Sequence, residues 1–212
     1  MNKYITEFIG TFFLVLAIGC NVLGANPLAP LAIGGMLMAM IYACGHISGA
    51  HFNPAVTLAV TLRGKCTPTD AVAYIIFQVL AAVAAAFTAS YLFAEAATRV
   101  AAAPATPFPT GPAFVAELLF TFALVWVVLN VATSKDTAGN GNYGLAIGFT
   151  VVAGAFSVGS ISGGAFNPAV AVGAALMGLI QWANIWVHLV ADFTGAAIAA
   201  MAFKALSTAD KA

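Results

Sequence analysis

Asn53 and Asn167 carry the most distinctive chemistry in this chain. Each is a side-chain amide set among apolar neighbours, and each opens the tripeptide Asn-Pro-Ala. The first copy is Asn53, Pro54 and Ala55 in SGAHFNPAVTLAV (48–60); the second is Asn167, Pro168 and Ala169 in SGGAFNPAVAVGA (162–174). An amide offers N–H donors and a carbonyl acceptor but no titratable proton. Two of them suit hydrogen bonding to an uncharged molecule in passage rather than bond cleavage. Nothing around them supplies the rest of a catalytic centre. Seven acidic residues are spread over 212 positions, and Cys20, Cys44 and Cys66 stand without the spacing of a metal site or a disulfide framework. No nucleotide-binding motif is visible. The sequence therefore reads as no enzyme, with no metal and no cofactor, and a net charge of zero suggests no nucleic-acid partner. An ion-coupled transporter would need charged or polar ligands beside the motifs, where only Ser48, Ser162 and the asparagines stand.

The scaffold that must position these motifs is a membrane protein. The chain is 62% hydrophobic and 7% charged, with a mean hydropathy of +1.01, against about 25% charged residues in soluble domains. Its apolar runs are continuous, unlike the alternating segments of a membrane β-barrel, so the fold class is all-α. A bilayer crossing takes about 20 apolar residues. Six crossings are predicted, at 4–25, 31–48, 69–94, 112–132, 143–160 and 183–204. They are separated by NPLAP (26–30), RGKCTPTD (63–70), the Ala/Pro-rich TRVAAAPATPFPTGP (98–112) and TSKDTAGNGN (133–142). The first apolar run is read as a span rather than a signal peptide, because it is long, contains Glu7 and is followed by no A-x-A site. With both termini cytoplasmic, Lys3, Arg63, Lys65, Lys135, Lys204 and Lys211 fall inside and only Arg99 falls outside. That is a strong positive-inside bias.

The two halves repeat. TEFIGTFFLVLAI from Thr6 and AELLFTFALVWVV from Ala116 match in register, with Glu7 and Glu117 110 residues apart and the two motifs 114 apart. Three spans per half is an odd number, so the second half is inverted relative to the first. One domain over 1–212 is therefore read as inverted repeats of about 1–97 and 111–212, with a site near the midplane at their interface. Two apolar stretches, 54–62 and 168–178, are left over. Each would be a helix of roughly 15 Å, half a bilayer. Pro54 and Pro168 suit a first helical turn, and the asparagines before them suit the N-cap. Two half-helices are thus predicted to meet head to head at mid-membrane, because unpaired backbone there is tolerated only along a water-filled cavity or inside protein. Gly45/Gly49 and Gly159/Gly163 repeat a GxxxG spacing, expected to let the returning loops approach their neighbours closely.

GHISGAHFNPAVT (45–57) and SGGAFNPAV (162–170), doubled in a repeat that covers nearly the whole chain, resemble the pore loops of the aquaporins, the major intrinsic protein family. That resemblance implies a passive channel for water and small neutral solutes, assembled as a homotetramer in membrane lipid with one pore per subunit. It implies that Glu7 and Glu117 are buried and hold the pore loops by hydrogen bonds. It also places His46 in the cytoplasmic pore lining, where an imidazole would confer pH sensitivity. Two facing helix N-termini, each carrying roughly half a positive charge, would oppose cations while passing neutral molecules.

Most members place arginine three residues after the second motif asparagine, whereas this chain reads NPAVAV and has Val170 there. By the family's offsets the rest of the outer constriction falls on Ile33, Ala155 and Gly164. Water-selective members typically carry Phe, His and Arg in this ring, and glycerol channels keep the arginine and follow it with Asp. Isoleucine, alanine, glycine and valine make a wide, apolar ring without a side-chain donor. The implied solutes extend to glycerol-like polyols and to undissociated metalloid acids such as arsenite; SGGAFNPAVAVG resembles bacterial members that lack the arginine and are linked to arsenic handling. The alternatives are a pore passing mainly water, with bulkier neighbours refilling the gap, and a structural membrane-junction role. Asp192, in WVHLVADFTG, stands where many members have proline. It either pairs across helices, with His188 as an i,i+4 candidate, or reaches a water-filled vestibule. The small size and short termini point to a prokaryotic plasma membrane, the bacterial inner membrane.

Overall fold

The computed structural model describes residues 1–103 and 108–207. Its helices are α1 (Asn2–Leu23), α2 (Ala29–Ser48), α3 (Pro54–Leu62), α4 (Pro68–Leu92), α5 (Ala94–Ala102), α6 (Thr110–Thr133), α7 (Tyr143–Ser162), α8 (Pro168–Leu176) and α9 (Ile185–Leu206). Short 3₁₀ turns at Lys135–Thr137 and Trp182–Asn184 precede α7 and α9. Among the described residues, six segments are long and apolar enough to cross a membrane: α1, α2, α4, α6, α7, and α9 with its leading turn. Each lies within a few residues of its predicted span. The half-helices α3 and α8 have nine residues each. The second ends at Leu176 rather than 178, because Gly178 turns the chain out of the helix at φ +75°.

The two halves of the chain pack alike. Helix α1 packs on α4 and α2, and α6 packs on α9 and α7 in the same relation. The halves join through α2 against α7, and each half-helix wedges between α4 and α9. Helices come this close because the seams are lined with small residues. Ala81, Ala82, Ala85, Ala86 and Ala89 are buried along α4, as are Ala191, Ala196, Ala199 and Ala200 along α9.

Two expectations need correction. The first concerns Gly45/Gly49 and Gly159/Gly163. Gly49 and Gly163 have φ of +87° and +94° and form left-handed helix ends, their N–H groups bonding back to the carbonyls of Gly45 and Gly159. A side chain at Gly159 would meet nothing within 4 Å, and one at Gly45 only Tyr143 at 3.6 Å. The role is chain reversal, not close approach. Close approach occurs instead where α2 crosses α7: a Cβ on Gly148 would lie 2.6 Å from the Gly34 carbonyl oxygen and 2.9 Å from Met38 Cβ. Gly148→Val should therefore cost about 1–3 kcal/mol through overpacking and lower the melting temperature in detergent by roughly 2–10 °C. An unchanged melting temperature would mean that this crossing can separate freely. The second correction concerns the break at 98–112. Its start continues α5, since AEAATRVAA is built of helix formers; the proline-rich 104–107 lie outside the described residues, as does Lys211.

Candidate functional site

The two motifs meet at the tips of α3 and α8. Asn53 Oδ1 caps α3 by accepting from the N–H groups of Ala55 (2.8 Å) and Val56 (3.4 Å). Asn167 Oδ1 caps α8 by accepting from those of Ala169 (3.0 Å) and Val170 (3.4 Å). Each amide then reaches across the repeat interface: Asn53 Nδ2 donates to the Phe166 carbonyl (2.8 Å), and Asn167 Nδ2 donates to the Phe52 carbonyl (2.9 Å). One N–H of each amide is consumed in holding the halves together. The second N–H remains available on a side chain that lines the central cavity. Pro54, Ala55, Pro168 and Ala169 are buried at the two tips and belong to the joint rather than the wall.

The loops leading into the tips are strained, and two carboxylates hold them. Phe52 and Phe166 have φ of +50° and +47°, the left-handed region that costs an L-residue roughly 1–2 kcal/mol. Their rings are buried in places vacated by glycine, against Gly10 and Gly154. Glu7, fully buried, accepts from Ser48 Oγ (2.6 Å), the His51 N–H (3.0 Å), the Phe52 N–H (2.7 Å) and Gln78 Nε2 (2.8 Å). Glu117 accepts from Ser162 Oγ (2.6 Å), the Ala165 N–H (3.0 Å) and the Phe166 N–H (2.7 Å). The final carbonyls of α2 and α7 are also held: Tyr74 Oη donates to Ser48 O (2.7 Å), and His188 Nε2 bonds Ser162 O (2.8 Å). Tyr74, Gln78 and Thr57 are supporting residues that the motif search missed. The offset of 114 between the motifs, applied along α4 and α9, pairs Tyr74 with His188 and would have found it.

Ile33, Ala155, Gly164 and Val170 line one cavity of about 320 Å³, together with Asn53, Asn167 and His51. The rest of its wall is aliphatic side chains, glycine, proline and Phe52, and no Lys, Arg, Asp or Glu lines it among the described residues. His46 lies elsewhere. It is exposed and lines a second cavity, of about 370 Å³, bounded by the loop between α6 and α7. The two cavities share Ile41, Val128 and Ile147 at their junction. His51 Nδ1 lies 3.1 Å from Thr57 Oγ1. That hydroxyl spends its hydrogen on the Asn53 carbonyl (2.9 Å) and also accepts from Gln78 (3.1 Å), so His51 must donate to it from Nδ1. The neutral imidazole then keeps a free acceptor on Nε2 at the cavity wall. The path thus offers two amide donors and one imidazole acceptor among apolar walls.

Asp192 is fully buried and reaches no vestibule. Its hydrogen-bond partner is Thr121, whose hydroxyl donates to Oδ1 at 2.9 Å, whereas His188 is turned to Ser162. The i,i+4 pairing of His188 with Asp192 is not formed.

Residues 1–203 match the family model described as Major intrinsic protein. The chain is 36% identical to "Glycerol uptake facilitator protein-like 6" of Lactiplantibacillus plantarum, over 99% of this chain and 100% of that one. It is also 36% identical to "Aquaporin NIP1-4" of Oryza sativa, over 96% of this chain and 76% of that one. Its fold is similar to the X-ray structure of the aquaglyceroporin from Plasmodium falciparum, with a TM-score of 0.83 over 100% and 99% of the two chains at 22% identity.

Proposed function

This chain belongs to the major intrinsic protein family, and we infer that it is a passive channel for water and small uncharged solutes with a wide, apolar outer constriction. The family is one of channels, and the protein is a multi-pass membrane transporter rather than an enzyme. One observation carries the wide-filter reading: Ile33, Ala155, Gly164 and Val170 face a common cavity of about 320 Å³ whose described wall holds no cationic side chain. A ring of this composition excludes by size alone, so glycerol-like polyols and undissociated metalloid acids fall within its range as well as water. A relative named as a glycerol uptake facilitator, matched over its full length, supports the same range.

Charge exclusion then rests on the motif. The N-termini of α3 and α8 point at each other across the asparagines, and their partial positive charges raise the potential where the two amide donors face the path. A passing molecule accepts from the free N–H groups of Asn53 and Asn167. Bound so, a water spends its oxygen lone pairs on the two amides and can only donate to its neighbours in the file, not accept from them, which interrupts a proton-conducting chain.

We further propose a homotetramer in the plasma membrane of a bacterium, with both termini cytoplasmic. An apolar stripe on α4 (Val72, Ile76, Leu80, Phe87, Tyr91) is exposed and suits lipid or a neighbouring subunit. The ion pair of Lys3 with Asp70 (2.8 Å) and the stacking of Arg63 on Phe203 (5.1 Å) gather basic residues at one end, in keeping with the positive-inside rule.

Stopped-flow light scattering on proteoliposomes tests the reading. In a glycerol gradient the vesicles should shrink quickly and then re-swell far faster than protein-free vesicles, and uptake of urea and arsenite should be accelerated too. Fast shrinkage without accelerated re-swelling would replace this reading by a mainly water-conducting pore. No acceleration of either phase would favour a junction role.

A further inference from the structure

The two loop supports are built alike except at one position. Glu7 accepts four hydrogen bonds, the fourth from the side-chain amide of Gln78 on α4. Glu117 accepts the three equivalent bonds, at matching distances, from Ser162, Ala165 and Phe166. The residue 114 positions after Gln78, the offset of the motifs themselves, is Asp192 on α9. It occupies the same place, fully buried against the Glu117 carboxylate and beneath the Asn167 backbone. Its Oδ1 takes the Thr121 hydroxyl, while Oδ2 is buried with no hydrogen-bond partner. An ionised aspartate there would set two carboxylates side by side in the membrane core. Adjacent like charges in such a site exclude each other's ionisation.

We propose that Glu117 and Asp192 share one proton, carried on Asp192 Oδ2 and donated to Glu117, so that Asp192 positions the second pore loop as Gln78 positions the first. The proton stays on the pair, and no bond other than the hydrogen bond is made or broken. The pair then bears a single negative charge, as Glu7 with Gln78 does, and Glu117 recovers its fourth donor. His188 is the other titratable group facing this site, with Nε2 3.8 Å from Glu117 Oε1. Its Nε2 hydrogen is committed to Ser162 O, and its Nδ1 is buried without a partner. A second hydrogen placed there would be an orphaned, charged donor, so the proton belongs to the carboxyl pair. Because Phe166 hangs from Glu117 and immediately precedes Asn167, the shared proton fixes where Asn167 and Val170 face the cavity.

The readout does not depend on what the pore passes. Infrared spectroscopy of the full-length protein in lipid at neutral pH should show the carbonyl stretch of a protonated, buried carboxylic acid, shifting only slowly in deuterated buffer. Asp192→Asn supplies an N–H donor in place of the proton. It should lose that band entirely and keep the wild-type melting temperature. Asp192→Leu should lose the band and melt lower by about 5 °C or more, from a carboxylate left one donor short. A wild-type spectrum without the band overturns the proposal, and so does a band that persists in Asp192→Asn. An Asp192→Leu variant that melts with the wild type removes the positioning role. Should that variant fail to fold, the wild-type and Asp192→Asn spectra decide the matter alone.

Discussion

Val170→Arg should close the pore to glycerol while leaving water flux within a few fold of wild type. Position 170 is in the first turn of α8, and its backbone N–H is tied to Asn167 Oδ1 at 3.4 Å. A change of side chain there leaves the cap in place and acts on the cavity alone. The arginine would extend over the space bounded by Ile33, Ala155 and Gly164, which is part of a cavity of only about 320 Å³. Water still fits beside a guanidinium and can accept from it. A three-carbon polyol must shed its own hydrogen-bonded water and squeeze past, and a penalty of about 1.4 kcal/mol already lowers its rate tenfold. A drop in glycerol permeability of about tenfold or more is therefore expected, read from the re-swelling phase of the same vesicles. Val170→Met separates the two contributions, since it adds length without charge and should slow glycerol less. A cation beside a helix N-terminus is also unfavourable by roughly 0.3–1 kcal/mol, so the arginine variant should melt slightly lower. Were glycerol to pass both variants at the wild-type rate, Val170 would not stand at the selective point and the constriction would have to be sought at Ile41, Val128 and Ile147.

Why some of this was readable in the residues and some was not follows from the range of the interactions involved. The half-helices were legible because an N-cap asparagine, a first-turn proline and a following apolar run are all local; the bonds from Ala55 and Val56 to Asn53 lie within three residues. Span positions were legible for the same reason, as continuous apolar runs need no partner to be recognised. The short helix α5 was hidden by its neighbours, because the prolines after it dominate the composition of the segment while AEAATRVAA itself favours helix. Gly49 and Gly163 presented a spacing that two different needs produce, and only the backbone angles tell chain reversal from close packing. Partners of buried polar groups were the least legible. His188 lies one helical turn from Asp192 in sequence, yet its ring is committed to Ser162, 26 residues away, while Asp192 is met by Thr121, 71 residues away. Such choices are set by which helices are adjacent, and adjacency is not written in any short stretch.

Glu7→Ala should abolish folded protein rather than alter selectivity. The carboxylate stands fully buried with four donors directed at it from three segments: Ser48 at the end of α2, His51 and Phe52 in the loop, and Gln78 on α4. Alanine leaves every one of them facing a void. A buried donor without an acceptor costs about 1–3 kcal/mol, so four amount to a loss of several kcal/mol or more. Native stabilities are typically about 5–15 kcal/mol, and the left-handed Phe52 at φ +50° adds strain that these bonds now offset. Glu7→Gln is the informative companion. Ser48 and the His51 N–H address Oε1, whereas the Phe52 N–H and Gln78 address Oε2; an amide in either orientation turns its NH₂ toward two donors. The isosteric change should therefore sit between wild type and alanine, folded but melting well below wild type. Size-exclusion profiles and melting curves in detergent give the answer directly. If Glu7→Ala elutes as a single species and melts within a few degrees of wild type, the loop is held by the packing of Phe52 on Gly10 and not by the carboxylate. In that case the strained backbone would have to be supported from the cross-repeat bond of Asn167 to the Phe52 carbonyl, and Asn167→Ala would become the variant that fails to fold.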